Sequence, residues 1–257
     1  MATKKSSDNE SVQIIEVQTA TITVAILGTT PLILNRLSEK TKHELLLPKP
    51  RKTAADKAST LKHDPLAEFR ASPERIRDES APTLLAVPSV ALKGAMRTAA
   101  LDLPGANKSQ VGRLTYVEGE MLGVYGIPKV FSTIVRSADI NRTPDVRTRC
   151  IVPEWALLAS ITYVKPILRD QAIANLIAAA GITVGIGDFR QQKGAGNYGS
   201  FTVVGMDDER LQRLLRDGGR AAQQAAMDDP EAYDENTEEL LAWFDQEVRR
   251  RGFKVAA

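Results

Sequence analysis

The feature that most constrains the fold is the position of two apolar-striped helices among short strands. The first predicted helix, VALKGAMRTAALD, spans 90–102, and Ser89 before it carries the hydroxyl that suits a helix N-cap. The second, QAIANLIAAA, spans 171–180, with Asp170 as its cap and Gly181 as its end. Apolar residues recur three and four positions apart in both, so each helix should bury one face.

Apolar segments on either side of these helices predict strands. The predicted strands lie at 21–27, 84–87, 115–126, 129–136, 147–164 with a break at Pro153, and 200–206. With insertions set aside, the order is strand, helix, strand, strand, helix, strand. That is the βαββαβ order of ferredoxin-like domains, so we predict an α+β fold of this type.

The remaining segments define the domain organisation. Residues 1–11 are polar and predicted to be disordered, and 12–205 form the domain. This domain carries insertions at 28–83 and 131–149, and 206–257 form an acidic helical tail. The tail either covers the basic groove of the domain or of a neighbouring copy, or belongs to the core through Leu240, Trp243 and Phe244. Within these segments, helices are predicted at about 37–46, 65–70, 207–226 and 236–251.

Cysteine and histidine are scarce, which excludes several kinds of site. Cys150 is the single cysteine, so no internal disulfide forms, and a reducing cytoplasm is expected. His43 and His63 are the only histidines, so neither a cysteine-pair zinc site nor a histidine-rich metal site can form. The longest apolar run, around 172–186, is too short to span a bilayer. We expect no membrane association, no metal and no cofactor.

Charge is unevenly distributed along the chain. Residues 1–205 carry 26 Lys and Arg against 19 Asp and Glu, whereas 206–257 carry 8 against 13. A basic body is compatible with an anionic partner, although an ordinary solvated surface can have the same balance.

The stretch GIGDFRQQKGAGNYGSF, 185–201, contains five glycines and the spacing G-x-G-x-x-G. A dinucleotide-binding loop requires a helix after the glycines, but here a strand follows. A nucleotide-triphosphate loop requires G-K-[ST], and the catalytic motifs of kinases are absent. Two interpretations remain, a flexible hairpin tip and a surface that holds phosphates. The candidate phosphate-binding residues are Gly187, Arg190, Lys193, Gly194, Gly196, Asn197 and Gly199.

The first predicted helix carries a second candidate surface. Lys93 and Arg97 are four residues apart and share one helix face, where like charges mildly repel. Gly94 between them costs about 1 kcal/mol relative to alanine. A bound phosphate would offset the repulsion, and the helix start at Ser89 also favours an anion. The alternative is a solvated basic face with Gly94 packed against the sheet.

Two motifs resemble a known family. VPSVALKGAMR resembles the "P-G-S-S-L-K-G-x-x-R" signature of the RAMP superfamily, CRISPR-associated proteins with an RNA-recognition-motif-like fold. The stretch 185–201 is similar to the glycine-rich loop of that family. Val90 departs from the signature, the glycine before Ser89 is absent, and the loop inserts Gln191 and Gln192. The similarity is to the repeating backbone subunit of CRISPR effector complexes, while PLILNRLSEKTKHELL is similar to phage-borne relatives.

The resemblance implies further features of the chain. It implies a finger-like insertion, a thumb-like loop at 131–149, and head-to-tail self-association into a filament or ring, with other effector-complex subunits as partners. The host would be a prokaryotic cell or its phage. The cations that the thumb-like loop adds are Arg136, Arg142, Arg147 and Arg149, and weaker candidates in the first insertion are Arg36, Lys40, Lys42, Arg51 and Lys52. Some relatives cut RNA with a loop aspartate, for which Asp139 and Asp145 are the weak catalytic candidates.

These observations predict a non-enzymatic, oligomerising protein that binds single-stranded RNA or DNA. The aromatic signature of base-stacking RNA-recognition motifs is missing, and Tyr198 and Phe201 are expected to be packing residues. The protein should therefore hold the phosphate backbone and read little sequence. Two alternatives stay open, an RNA endonuclease of the same superfamily and a phage structural protein that uses the fold as a scaffold.

Overall fold

A computed structural model describes residues 16–36, 42, 45–47, 63–136, 144–192 and 196–252. The fold is mixed α+β. Its strands are β1 Gln18–Gly28, β2 Leu32–Leu34, β3 Glu74–Arg75, β4 Leu85–Pro88, β5 Thr115–Val117, β6 Met121–Tyr125, β7 Lys129–Arg136, β8 Pro144–Val152, β9 Ala156–Lys165 and β10 Phe201–Val204. Its helices are α1 Pro65–Ala71, α2 Ser89–Ala99, α3 Lys108–Leu114, α4 Asp170–Thr183, α5 Glu209–Asp217, α6 Arg220–Asp228 and α7 Glu235–Arg251. None of the helices in these ranges is long and apolar enough to cross a membrane.

The main sheet is antiparallel, in the order β10-β1-β9-β6-β4-β3, and β5 also pairs with β9. Its longest ladder joins β1 to β9, from Gln18 opposite Lys165 to Leu27 opposite Ala156. Helices α2 and α4 contact each other and bury their apolar stripes in the common core. The strands predicted around 21–27, 84–87, 129–136 and 200–206 are confirmed, and Pro153 separates β8 from β9 as expected.

A second, three-stranded sheet in the order β2-β8-β7 is formed by the two predicted insertions. Helix α1 lies where a helix at 65–70 was predicted, and it contacts β8. The Glu68 carboxylate accepts the Thr148 amide at 3.3 Å, and the Ser72 hydroxyl accepts the Cys150 amide at 2.7 Å. The first insertion is therefore joined to the second. Most of the helix predicted at 37–46 lies outside the described residues.

The caps predicted for the two core helices are wrong. Pro88 is the N-cap of α2, with no side-chain cap, while the buried Ser89 donates its amide to the Glu120 carbonyl at 2.9 Å. The pairing of β4 with β6 thus extends to the backbone of the residue that we expected to cap the helix. Helix α2 also ends at Ala99, three residues earlier than predicted.

At α4, Asp170 is the first helical residue rather than the cap, and its carboxylate accepts a hydrogen bond from the Tyr163 hydroxyl. Gly181 does not end α4, which continues to Thr183. A Cβ at Gly181 would lie 2.1 Å from the Phe201 carbonyl oxygen. The glycine therefore allows α4 to approach β10 closely.

Two segments predicted as single elements are divided. The strand predicted at 115–126 is β5 and β6, separated at Gly119, whose φ is +78°. The helix predicted at 207–226 is α5 and α6, separated by Gly218 and Gly219. Helix α3 was not predicted; Asn107 caps it by accepting the Ser109 and Gln110 amides.

The C-terminal helices share the core of the domain. Leu211 and Leu214 of α5 pack with Ala25, Leu27 and Ala156 of the main sheet. In α6, Met227 joins the main core. Of the two alternatives for the tail, these contacts favour integration into the core over a detachable cover. Trp243 of α7, which we expected to carry such contacts, is 63% exposed.

Gln223 of α6 is fully buried and joins the tail to the main sheet. Its carbonyl oxygen accepts the Leu84 and Leu85 amides at 2.7 and 3.0 Å. Its amide nitrogen donates to the carbonyls of Val124, Gly126 and Gly218. The Gln223 side chain thus hydrogen-bonds backbone groups of both the domain and its C-terminal tail, and we call this contact the junction.

Candidate nucleic-acid interface

Helix α2 and the first part of the glycine loop, which the structure describes at 185–192 and 196–199, form the walls of one cleft of about 280 Å³. The stretches that carried the two sequence motifs are therefore neighbours in space. From α2 the lining residues are Val90, Ala91, Gly94, Ala95 and Thr98, and from the other wall they are Val184, Gly185, Ile186, Gly187, Arg190 and Gln192.

Gly94 opens onto this cleft. Outside its own helix, no atom of the described residues lies within 4 Å of a Cβ added there, so the expected packing of Gly94 against the sheet is not found. A mid-helix glycine is costly relative to alanine. No packing contact of the described residues explains its presence.

Two further glycines of the loop, Gly196 and Gly199, allow close contact between its own backbone segments. A Cβ at Gly196 would lie 1.7 Å from the Phe189 carbonyl oxygen, and one at Gly199 would lie 1.7 Å from the Ile186 carbonyl oxygen. The two arms of the loop therefore pack backbone to backbone. The Ile186 amide donates to the Gly199 carbonyl, and the Gly199 amide donates to the Pro31 carbonyl. These two amides are hydrogen-bonded within the protein, whereas Asn197 is exposed.

Arg149 and Asp188 fasten the loop to the small sheet. The Arg149 Nε lies 3.7 Å from an Asp188 carboxylate oxygen, and the same oxygen accepts from the Asn35 side chain at 2.9 Å. Burial lowers the pKa of the Arg149 guanidinium, and the Asp188 carboxylate opposes this shift. Arg149 thus lies in a structural ion pair, largely withdrawn from solvent.

Arg190 is the cation that lines the cleft of about 280 Å³. Its guanidinium donates to the Gly187 carbonyl at 2.9 Å and to the Gln192 side chain at 3.3 Å. These bonds hold the charge at the wall, and the remaining N–H groups of the fork can reach a ligand. Gly187 lies beside it in the lining.

A neighbouring cleft of about 320 Å³ shares Ala91, Gly187 and Arg190 with the first. Arg36 and Asn35, which follow β2, also line it, together with Glu74. Arg36 was a weak candidate from sequence, and Asn35 was missed. The strand β2 that positions both residues is only three residues long and gave no clear periodic signal.

The predicted cations of α2 are not part of the cleft wall. Arg97 lies over α3, since a Cβ at Gly112 would come within 2.7 Å of the Arg97 Nε. Lys93 is partly exposed beside Gly94 and is also outside the lining. The structure therefore brings Gly94 to the loop but turns Arg97 toward another helix.

The cations of the β7–β8 hairpin are divided between its faces. Thr133 pairs with Arg147, and Arg136 pairs with Pro144. Because side chains alternate along a strand, Arg136 and Arg147 lie on opposite faces. Both are exposed. Arg142, Lys193, Gly194 and the catalytic candidate Asp139 lie outside the described residues.

Asp145, the other catalytic candidate, belongs to a cluster with His63 and Glu68. The His63 Nδ1 lies 2.7 Å from a Glu68 oxygen, and its Nε2 lies 2.9 Å from an Asp145 oxygen. Both imidazole nitrogens are therefore within hydrogen-bond distance of a carboxylate of the protein. Within the described ranges no group of three acidic, cysteine or histidine side chains could hold a metal ion.

The two aromatic residues singled out from sequence pack as expected. Phe201 is buried with its ring centroid 6.3 Å from that of Trp155. Tyr198 contacts Phe131 at 6.0 Å between centroids, and Phe131 in turn contacts Tyr233. Burial raises the pKa of the Tyr198 hydroxyl, and the nearby Tyr233 and Asp234 add to this shift. These rings connect the loop, the hairpin and the tail.

No protein-family model matches the chain, and no curated protein matches it in sequence. Among solved structures, the chain is similar to that of Cmr6 from Pyrococcus furiosus, with 10% identity and a TM-score of 0.36. The alignment covers 73% of this chain and 98% of Cmr6. At this TM-score the likeness carries no conclusion about this chain.

Proposed function

We propose that the protein binds single-stranded nucleic acid, RNA or DNA, through its sugar-phosphate backbone in the cleft between α2 and the glycine loop. The observation that carries this proposal is Gly94. It leaves open space in the wall of α2, opposite Gly187 and Arg190 of the loop. A narrow, flexible backbone can approach a wall that lacks a side chain.

Charge supports a phosphate-bearing ligand. Arg190 lines both neighbouring clefts and Arg36 lines the second. The acidic Asp188 on the same wall is paired with Arg149. Guanidinium groups bind phosphate oxygens in a planar fork, without regard to base sequence.

The strand order supports the finer fold that we propose, a ferredoxin-like βαββαβ core. Strands β10, β1, β9 and β6 are neighbours in that order, with α2 between β4 and β5 along the chain and α4 between β9 and β10. Within this proposal the chain resembles the RAMP superfamily through its two motifs, in α2 and in the glycine loop.

Head-to-tail self-association is also part of the proposal. Ile134 near the end of the β7–β8 hairpin is 70% exposed, and an apolar side chain at such a position suits contact with a second copy. Mass photometry with and without a long single strand tests this part. Monomers under both conditions would contradict it without affecting binding by one copy.

The binding proposal is tested with charge variants inside and outside the cleft. Arg190→Gln should weaken binding of a labelled oligouridylate and reduce the salt slope by about 0.7. Arg190→Lys should retain most of that slope. Arg97→Gln, which removes the same charge over α3, is the matched control and should have the smaller effect. Equal effects of Arg190→Gln and Arg97→Gln would place the strand outside the cleft.

A further inference from the structure

Phe189 has an unusual backbone conformation for its residue type. Its φ is +51°, and it is the only non-glycine residue of the described ranges with a positive φ. The left-handed region is unfavourable for side chains that carry a Cβ. Glycine would adopt this conformation without strain, and the loop contains glycines before and after position 189, but this position carries a phenylalanine.

The backbone around Phe189 is fixed by bonds on both sides. Asp188 before it is held by Asn35 and Arg149, and Arg190 after it is held by the Gly187 carbonyl. The Phe189 carbonyl itself accepts the Tyr198 amide at 3.3 Å. The surrounding loop therefore maintains the left-handed conformation at Phe189.

The Phe189 side chain is partly accessible to solvent. It is 38% exposed, and among the described residues it makes no ring contact, unlike Tyr198 and Phe201. Of its two chain neighbours, Arg190 lines both clefts and Asp188 lines the second, while Phe189 itself belongs to neither lining. A partly exposed aromatic residue thus lies between two cleft-lining residues of the chain, at the edge of the space assigned to the strand.

We propose that the Phe189 ring stacks on a nucleobase of the strand that lies in the cleft. This inference rests on the proposed function and extends it, because the loop would contact a base as well as the backbone. Every base has a π face, so stacking on an aromatic side chain tolerates any sequence. The contact would add affinity that salt does not screen, alongside the phosphate contacts of the cleft.

The test compares an oligouridylate with an abasic strand of the same length. The wild-type protein should prefer the oligouridylate, and Phe189→Leu should lose about 5- to 100-fold in affinity for it, as expected for one stacked base. Affinity for the abasic strand should not change, and Phe189→Tyr should retain the preference. Equal affinity of wild type and Phe189→Leu for the oligouridylate would overturn the inference.

Two further outcomes distinguish a failure of base stacking from a failure of the proposed function. If the wild-type protein binds neither strand, the proposed function fails; if it binds both strands equally well, only the stacking fails. Phe189→Gly provides a folding control, because glycine accepts the left-handed backbone without strain. Its melting temperature should equal or exceed that of the wild type. A clear decrease would show that the ring stabilises the fold, and would overturn the inference.

Discussion

The junction at Gln223 and the cleft at Gly94 are two helix surfaces with opposite properties. Gln223 of α6 is buried, and both polar atoms of its side chain are bonded within the protein. Gly94 of α2 has no side chain, and outside its own helix no described residue lies within 4 Å of its Cβ position. Stability explains the first residue completely. Gly94 lowers the stability of the helix, and no contact with a described residue compensates for this loss. We therefore attribute its presence to a ligand.

The largest effect is expected at the junction. Gln223→Leu leaves the buried Leu84 and Leu85 amides and the Val124 carbonyl without their partner. We expect a loss of at least about 3 kcal/mol in the free energy of unfolding, since each buried unsatisfied group costs about 1–3 kcal/mol. Urea denaturation measures it.

Gln224→Leu is the matched control for Gln223→Leu. Gln224 is exposed and its amide bonds only the Asp228 side chain in the same helix. Its replacement should change the stability by no more than about 0.5 kcal/mol. Similar losses in the two variants would contradict the role assigned to Gln223.

The next largest effects are expected at two helical glycines, Gly181 and Gly94, where alanine should change the stability in opposite directions. Gly181→Ala places a Cβ 2.1 Å from the Phe201 carbonyl oxygen, so α4 or β10 must shift. We expect a loss of about 1–3 kcal/mol, as for overpacked cores. Thermal unfolding monitored by circular dichroism measures it. An unchanged midpoint would show that the contact between α4 and β10 is not close in solution.

Gly94→Ala should instead increase the stability of the protein. Because no atom of the described residues outside α2 lies within 4 Å of the new Cβ, the helix should gain about 0.5–1 kcal/mol. The same methyl group narrows the cleft and should weaken binding of single-stranded nucleic acid. Melting temperature and fluorescence anisotropy measured on one sample show whether stability and affinity change in opposite directions. A variant that is stabilised and binds normally would mean that Gly94 does not face the strand.

The smallest effect is expected at the end of α7. Arg250 and Arg251 hydrogen-bond Glu247 and lower the pKa of its carboxyl to about 2. Because the folded-state pKa lies below the ordinary value of 4.5, this stabilisation is present above pH 4.5 and is lost as the pH falls toward 2. The wild type should therefore melt slightly higher than Glu247→Gln at pH 7, and this difference should vanish near pH 2.

Glu239→Gln, which makes the same charge change elsewhere on α7, is the control for Glu247→Gln. A difference between the wild type and Glu247→Gln that persists at low pH would contradict the assignment. Thermal melts of the three proteins across this pH range are sufficient.

Much of the fold could be predicted from sequence, because apolar periodicity marks strands and helices directly. The strands around 21–27 and 129–136 and the break at Pro153 were found in this way. The helix ends were not. Ser89 has the side chain of a cap, but the pairing of β4 with β6 uses its amide, and no local pattern reports that contact.

The candidate site was predicted in part. The resemblance indicated α2 and the glycine loop, and the structure places Gly94 opposite Gly187 and Arg190. The direction of the Arg97 side chain depends on Gly112 in α3, a helix that the sequence analysis missed. Phe189 was also missed, because its importance depends on a φ angle and on exposure, which sequence does not display.

The central claim is that the cleft holds a phosphate backbone, and a salt titration of binding tests it most directly. Fluorescence anisotropy of a labelled oligouridylate should show log K falling linearly with log salt, with a slope of about −0.7 for each phosphate contact. Gly94→Ala should weaken binding across the titration. Absence of binding at low salt, or an affinity that does not change with salt, would contradict the claim.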